Sequence, residues 1–112
     1  MAIYTDKKGD KTMKAIWKDQ VIAEANKDDL IYIEQNWYFP PSSVKREFLR
    51  ESPTPYTCPW KGECQYFDVG QGEDWGKDSA WCYPTPKSSA IDIVHKDFTG
   101  YVAFWRDVTV SE

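Results

Sequence analysis

The stretch KAIWKDQVIAEANKDDLIYIE gives three short apolar runs, at about residues 14 to 17, 21 to 25 and 30 to 34, split by Lys18-Asp19-Gln20 and Asn26-Lys27-Asp28-Asp29. That is hairpin spacing, and it predicts a β-meander. Proline punctuates the next segment. QNWYFPPSSVKREFLRESPTPY carries Pro40, Pro41, Pro53 and Pro55, so no continuous strand is expected through it. Ser43 is placed to cap one or two helical turns over residues 44 to 49, with Val44, Phe48 and Leu49 inward and Lys45, Arg46, Glu47 and Arg50 solvated.

ECQYFDV alternates, with Gln65, Phe67 and Val69 on one side and Cys64, Tyr66 and Asp68 on the other. GQGEDWGKD reads as a hairpin loop and SAWCYP as a strand that stops at Pro84. TPKSSAIDIV offers a short helix in which Ser89 and Asp92 have capping-box spacing, and FTGYVAFWRDVTV closes with one or two strands. About seven or eight strands and two minor helices make a mostly antiparallel β fold.

A chain of 112 residues builds one core. Polar residues 1–12 are expected to form a loosely ordered tail before a single β domain over 13–112. With only Leu30 and Leu49 as leucines, six Trp, seven Tyr and five Phe must supply much of that core. Each buried ring removes roughly 150 to 250 Å² from water. Interspersed charges and a net charge of −4 argue against nucleic acid as partner. No run approaches the ~20 apolar residues of a membrane span, and no leader pattern opens the chain, so a cytoplasmic location is expected. Three cysteines cannot all pair internally and are read as thiols.

The segments AIWKDQVIAE, NWYFPPSSVKREFL, TCPWKGECQYF, AWCYPTPK and GYVAFW match in order and spacing a known pattern. The sequence resembles the family catalogued as domain of unknown function 427, small stand-alone proteins of bacteria, including cyanobacteria, and of some fungi. The resemblance covers roughly residues 14–110, and YFPP, TCPWKG and GYVAF are its most specific pieces. It implies a β-tent-like domain in which two antiparallel sheets lean together, with one or two short helices. Some domains of that class bind small ligands, and many hold a structural zinc. A nucleotidyltransferase-like label also attaches to the family, although no nucleotide motif in this chain connects to it. The family's motif positions include Asn36, Tyr38, Arg46, Cys58, Trp60, Lys61, Trp81 and Tyr83 here, and not Cys64 or Cys82.

Zinc would need Cys58, Cys64, Cys82 and His95, but five, seventeen and twelve residues intervene between them, where zinc knuckles space ligands two to four apart. No metal and no cofactor is therefore expected. Cys58 as a nucleophile needs a thiolate, and Lys61 is the cation nearest in sequence that could favour one. His95 lies in the polar stretch HKDF and reads as solvated. GQGEDWG lacks the lysine and following helix of a phosphate cradle. Glu63, Asp68 and Glu73 form no defined acid-base pair.

Trp81 and Tyr83 share one strand face by period two, as do Tyr101, Ala103 and Trp105. A sheet face of this kind most often packs into the core, but Trp37, Tyr38, Trp60, Trp81 and Tyr83 adjoin prolines or loops, and walls made of these five rings, with one cation (Lys61 or Arg46) and one amide (Asn36), suit a small flat or anionic ligand, or a peptide segment. The alternatives are a transferase-type enzyme using Cys58 or Lys61, and a structural or regulatory protein-interaction module.

Overall fold

A computed structural model of the chain describes residues 11–112. The tail expected over residues 1–12 lies mostly outside them, and Thr12 already opens β1. Strands β1 (Thr12–Trp17) and β2 (Gln20–Asn26) form the first expected hairpin. Its two-residue turn places Lys18 and Asp19 at φ 46° and 68°, the left-handed pair whose twist matches the flanking strands.

The meander ends there. A 3-10 turn over Lys27–Asp29, capped by the Asn26 side chain accepting from the Asp28 N–H at 3.0 Å, carries the chain off the sheet. Strand β3 (Ile31–Ile33) therefore pairs with β4 (Asn36–Tyr38) in a separate ribbon. Glu34 and Gln35, at φ 51° and 70°, form its turn.

Two 3-10 turns, Pro41–Ser43 and Arg46–Phe48, replace the helix expected over residues 44–49. Ser43 caps nothing: its hydroxyl donates back to the Pro40 carbonyl at 2.7 Å, and Val44 is extended and bridges Ala23. Val44 and Phe48 are nevertheless buried, and Lys45, Arg46, Glu47 and Arg50 are exposed, as their pattern predicts.

Strand β5 (Leu49–Cys58) runs through Pro53 and Pro55, contrary to the proline-based expectation. It is the edge of a four-stranded sheet of order β5-β6-β7-β8, and its register breaks between Glu51 and Pro55. An edge strand turns one row of amides to solvent, so proline can enter it without removing a ladder bond, and it also blunts the edge against further pairing.

The other members of this sheet are β6 (Gly62–Gln71), β7 (Asp74–Cys82) and β8 (Val102–Phe104). The hairpin loop expected around GQGEDWG tightens to Gly72-Glu73 between β6 and β7. Helix α1 (Ser88–Val94) is entered through Lys87 without a side-chain cap, so Ser89 lies inside it and the capping-box reading does not hold. The last strand, β9 (Thr109–Ser111), pairs with β1 in a three-stranded sheet of order β2-β1-β9. The fold is mostly β, with three antiparallel sheets and one short helix among the described residues.

Strand alternation divides the core in two. One face of the four-stranded sheet sends Phe67, Val69, Ala80, Cys82, Val102 and Phe104 into a cluster with Trp17, Ile22 and Phe39. The other face sends Trp81, Tyr83 and Ala103 against Tyr38 of the ribbon, Ala90 of α1 and Phe98, with Cys64 and Tyr66 packed beside them. This second cluster sets the rings of Tyr38, Trp81, Tyr83 and Phe98 among aliphatic side chains, and Trp60, Cys64 and Tyr66 at its margin are partly exposed. Among the described residues no helix is long and apolar enough to cross a membrane.

Candidate functional site

The corner TCPWKG is a hairpin connection: Cys58 pairs with Gly62, and Pro59-Trp60-Lys61 turn between β5 and β6. Gly62 sits at φ +118°, a conformation open to glycine and strained for other residues. The segment before α1 fixes the turn from behind. The Lys87 N–H donates to the Lys61 carbonyl at 2.9 Å, and the Lys87 ammonium donates to the Pro59 carbonyl at 2.7 Å.

Held this way, Lys61 points inward and is only 5% exposed. Its Nζ lies 5.0 Å from the centre of the Tyr83 ring and 5.3 Å from that of Trp60, within cation-π range of both. It donates to Glu34 Oε1, while Trp60 Nε1 donates to Glu34 Oε2 at 3.3 Å. The carboxylate arrives from the turn of the β3–β4 ribbon, with its side chain 54% exposed. A buried cation thus has a peripheral counter-ion.

Glu34 and Lys61 belong to the wall of a cleft of about 200 Å³, lined also by Asn36, Tyr56, Cys64, Tyr66, Trp81, Tyr83 and Trp105. Trp81 and Trp105 meet edge to face with centroids 5.1 Å apart. Trp81 is anchored from beneath, its Nε1 donating to the hydroxyl of the buried Tyr38 at 3.0 Å. Tyr56 and Tyr66 pack across the β5–β6 pair at 6.4 Å.

A family model described as domain of unknown function (DUF427) matches residues 6–112. The chain belongs to the DUF427 family. No curated protein matches it. The three most specific segments of this DUF427 domain support one another in space. Phe39 of YFPP exchanges backbone hydrogen bonds of 2.8 and 2.9 Å with Val102 of GYVAF, and the Gly100 N–H donates to the Tyr83 carbonyl at 3.1 Å. TCPWKG joins Tyr83 in the second cluster through Cys58, and its Lys61 lies against the Tyr83 ring.

Of the residues singled out from sequence, Asn36, Lys61, Trp81 and Tyr83 line the cleft of this DUF427 domain. Tyr38 and Trp60 stand one layer behind, bonded to Trp81 and Glu34. Cys58 is buried in the same cluster but is not a lining residue. Arg46 is elsewhere: its guanidinium lies 5.8 Å from the ring of Phe67, which faces the other cluster, so Lys61 is the cation of the cleft. Sequence reasoning missed Glu34, Tyr56, Cys64, Tyr66 and Trp105. For Tyr66, Cys64 and Trp105 the period-two faces were sufficient signal, whereas nothing local marks Glu34.

Burial pushes the Cys64 thiol up to about 12, with Cys82 nearby adding to it, and burial likewise raises Cys82 to about 11. The thiol that lines the cleft is therefore protonated at neutral pH and a poor nucleophile. Burial also lifts the Tyr83 and Tyr38 hydroxyls above the usual tyrosine range. For Lys61, burial pulls downward, but the hydrogen bond to Glu34 and the neighbouring charges outweigh it and hold the ammonium above its ordinary value. The Lys61 hydrogen bond in turn lowers Glu34.

These directions fix how stability depends on pH. The raised lysine stabilises the fold fully below 10.5 and loses that contribution as pH climbs through its folded value. The lowered glutamate stabilises it above 4.5 and loses that contribution as pH falls through its folded value.

A larger depression of about 570 Å³ lies apart, lined chiefly by Glu24, Asp28, Asp29, Ser42, Ser43 and Lys96, with Tyr101 as its one ring. Among the described residues no group of His, Cys, Asp and Glu side chains is placed to hold a metal ion.

Proposed function

We propose that this DUF427 domain binds a small planar molecule in the aromatic cleft, in the cytoplasm, with the ring seated among Tyr66, Trp81, Tyr83 and Trp105 and a polar group turned toward Lys61. The observation that carries this reading is the buried ammonium that lies close to two rings and lines an open aromatic cleft. A lysine kept inside the fold has a desolvation cost that bulk packing does not require, because an apolar side chain of similar volume would fill the same space. At about 200 Å³ the cleft is smaller than the pockets of drug-sized ligands, which favours a single ring or a compact fused ring.

The transferase alternative draws less support. Cys58 is buried and does not line the cleft, and Lys61 is held as an ammonium rather than the free amine a nucleophile needs. An interaction module would present its rings on a flat surface, and here a cavity lies behind them.

Benzamide, followed by backbone amide shifts, tests the reading. Perturbations are expected at Lys61, Cys64, Tyr66 and Trp81. Removing a rim ring by Tyr66→Ala or Trp105→Ala should weaken binding about tenfold, the worth of one good aromatic contact, without unfolding the protein. Unchanged affinity in both variants, or shifts confined to the acidic depression, would refute it.

A further inference from the structure

We infer that Glu34 occupies, from within the chain, the position of a ligand's carboxylate, and that the cleft's natural occupant is a small aromatic carboxylate which displaces it. The inference rests on the proposed binding of a planar molecule in this cleft and specifies its ligand class.

The donors and the acceptor in this contact differ in how they are held. Lys61 and Trp60 belong to a turn pinned by two hydrogen bonds from Lys87, and the ammonium is enclosed by rings. Together they address both oxygens of one carboxylate: the ammonium donates to Oε1 and the indole N–H to Oε2. Two separate donors converging on the two oxygens of one planar group form a carboxylate-reading arrangement.

The acceptor is the movable partner. Glu34 sits on a two-residue turn of a short ribbon, and its side chain is more than half exposed. Should the Glu34 side chain swing into solvent, the Lys61 ammonium, whose side chain is 6% exposed, would lose its carboxylate acceptor. That exposes a buried charge without a partner, an unfavourable state unless another carboxylate takes its place.

An incoming carboxylate restores the same two hydrogen bonds, so the exchange is close to even in polar contacts. The ligand's ring then supplies the net gain by stacking against Tyr66, Trp81 and Trp105, which Glu34 cannot reach with any ring of its own. A carboxylate without a ring gains nothing over Glu34, and a ring without a carboxylate leaves Glu34 in place. The resident glutamate therefore acts as a filter that rejects simple anions such as acetate.

The test compares benzoate, benzamide and acetate on the full chain and on Glu34→Gly, with Lys61→Met as the control that keeps the apolar stem while removing the charge. Glycine is chosen because position 34 has φ 51°, where it is the least strained residue. Binding is read from tryptophan fluorescence and amide shifts at pH 7.5.

Benzoate is expected to bind Glu34→Gly at least about tenfold more tightly than the unaltered protein, the worth of a freed charge-assisted contact. Acetate becomes detectable only in Glu34→Gly, benzamide changes little, and Lys61→Met loses the preference for benzoate over benzamide. Equal benzoate affinity with and without Glu34, while both rings still bind, would overturn the carboxylate assignment and leave the cleft reading intact. Failure of both benzoate and benzamide to bind any folded variant would overturn the cleft reading and this inference together.

Discussion

Tyr38→Ala is expected to cost about 3–5 kcal/mol of stability, the range for deleting a fully buried ring. Tyr38 is 1% exposed and packs edge-on against both Trp81 and Phe98, with centroids 6.1 and 6.3 Å away. Its loss opens a void beside Trp81, which lines the cleft. Tyr38→Phe separates the ring from its hydroxyl. It keeps the packing but leaves the Trp81 indole N–H without its acceptor in a buried site, at a cost of about 1–3 kcal/mol. Urea unfolding of both variants checks this, and a Tyr38→Phe protein as stable as its parent would mean that the hydroxyl does not hold Trp81.

Gly70→Ala is the second large effect. Gly70 pairs with Trp75 in the β6–β7 ladder, and a Cβ there would sit 2.0 Å from the Asp74 carbonyl oxygen and 2.7 Å from the Trp75 Cα. Both are backbone atoms of the partner strand, so neither can rotate away and the hairpin must part. A loss of about 3 kcal/mol or more is expected, at the upper end for overpacking. Gly72→Ala is the comparison: a Cβ at Gly72 meets nothing within 4 Å, so only the left-handed backbone at φ +61° opposes alanine, at about 1–2 kcal/mol. Thermal melts that rank Gly72→Ala as the more damaging of the two would contradict this account of the hairpin.

The legible parts of the fold were those in which one strand face is buried. Phe67 and Val69 fall on one side of β6 and Cys64 and Tyr66 on the other because side chains alternate, and the two faces meet different clusters. Proline misled where position in the sheet mattered. Pro53 and Pro55 forbid a central strand, and only the tertiary pairing reveals that β5 lies at an edge. The departure of β3 was hidden for a similar reason, since a run of alternating residues does not say which neighbour it will pair with.

At the site, the rings and Lys61 could be read from TCPWKG and AWCYP, but Glu34 could not. It reaches Lys61 from 27 residues away through a left-handed turn that its own residue type does not announce. Its motif position and its charge also placed Arg46 beside Lys61 as a candidate. The sheet puts Arg46 on the opposite face, against Phe67.

Glu34 holds a buried, charged Lys61 in the wall of the cleft. The most direct test of this pairing is the titration of Lys61 followed by the NMR shift of its Cε in the folded protein and in Glu34→Gly. The pairing predicts a midpoint above 10.5 in the unaltered chain, and a lower one in the variant, where burial acts without its counterweight. A midpoint at or below 10.5 that is the same in both proteins would show that Glu34 does not hold the charge.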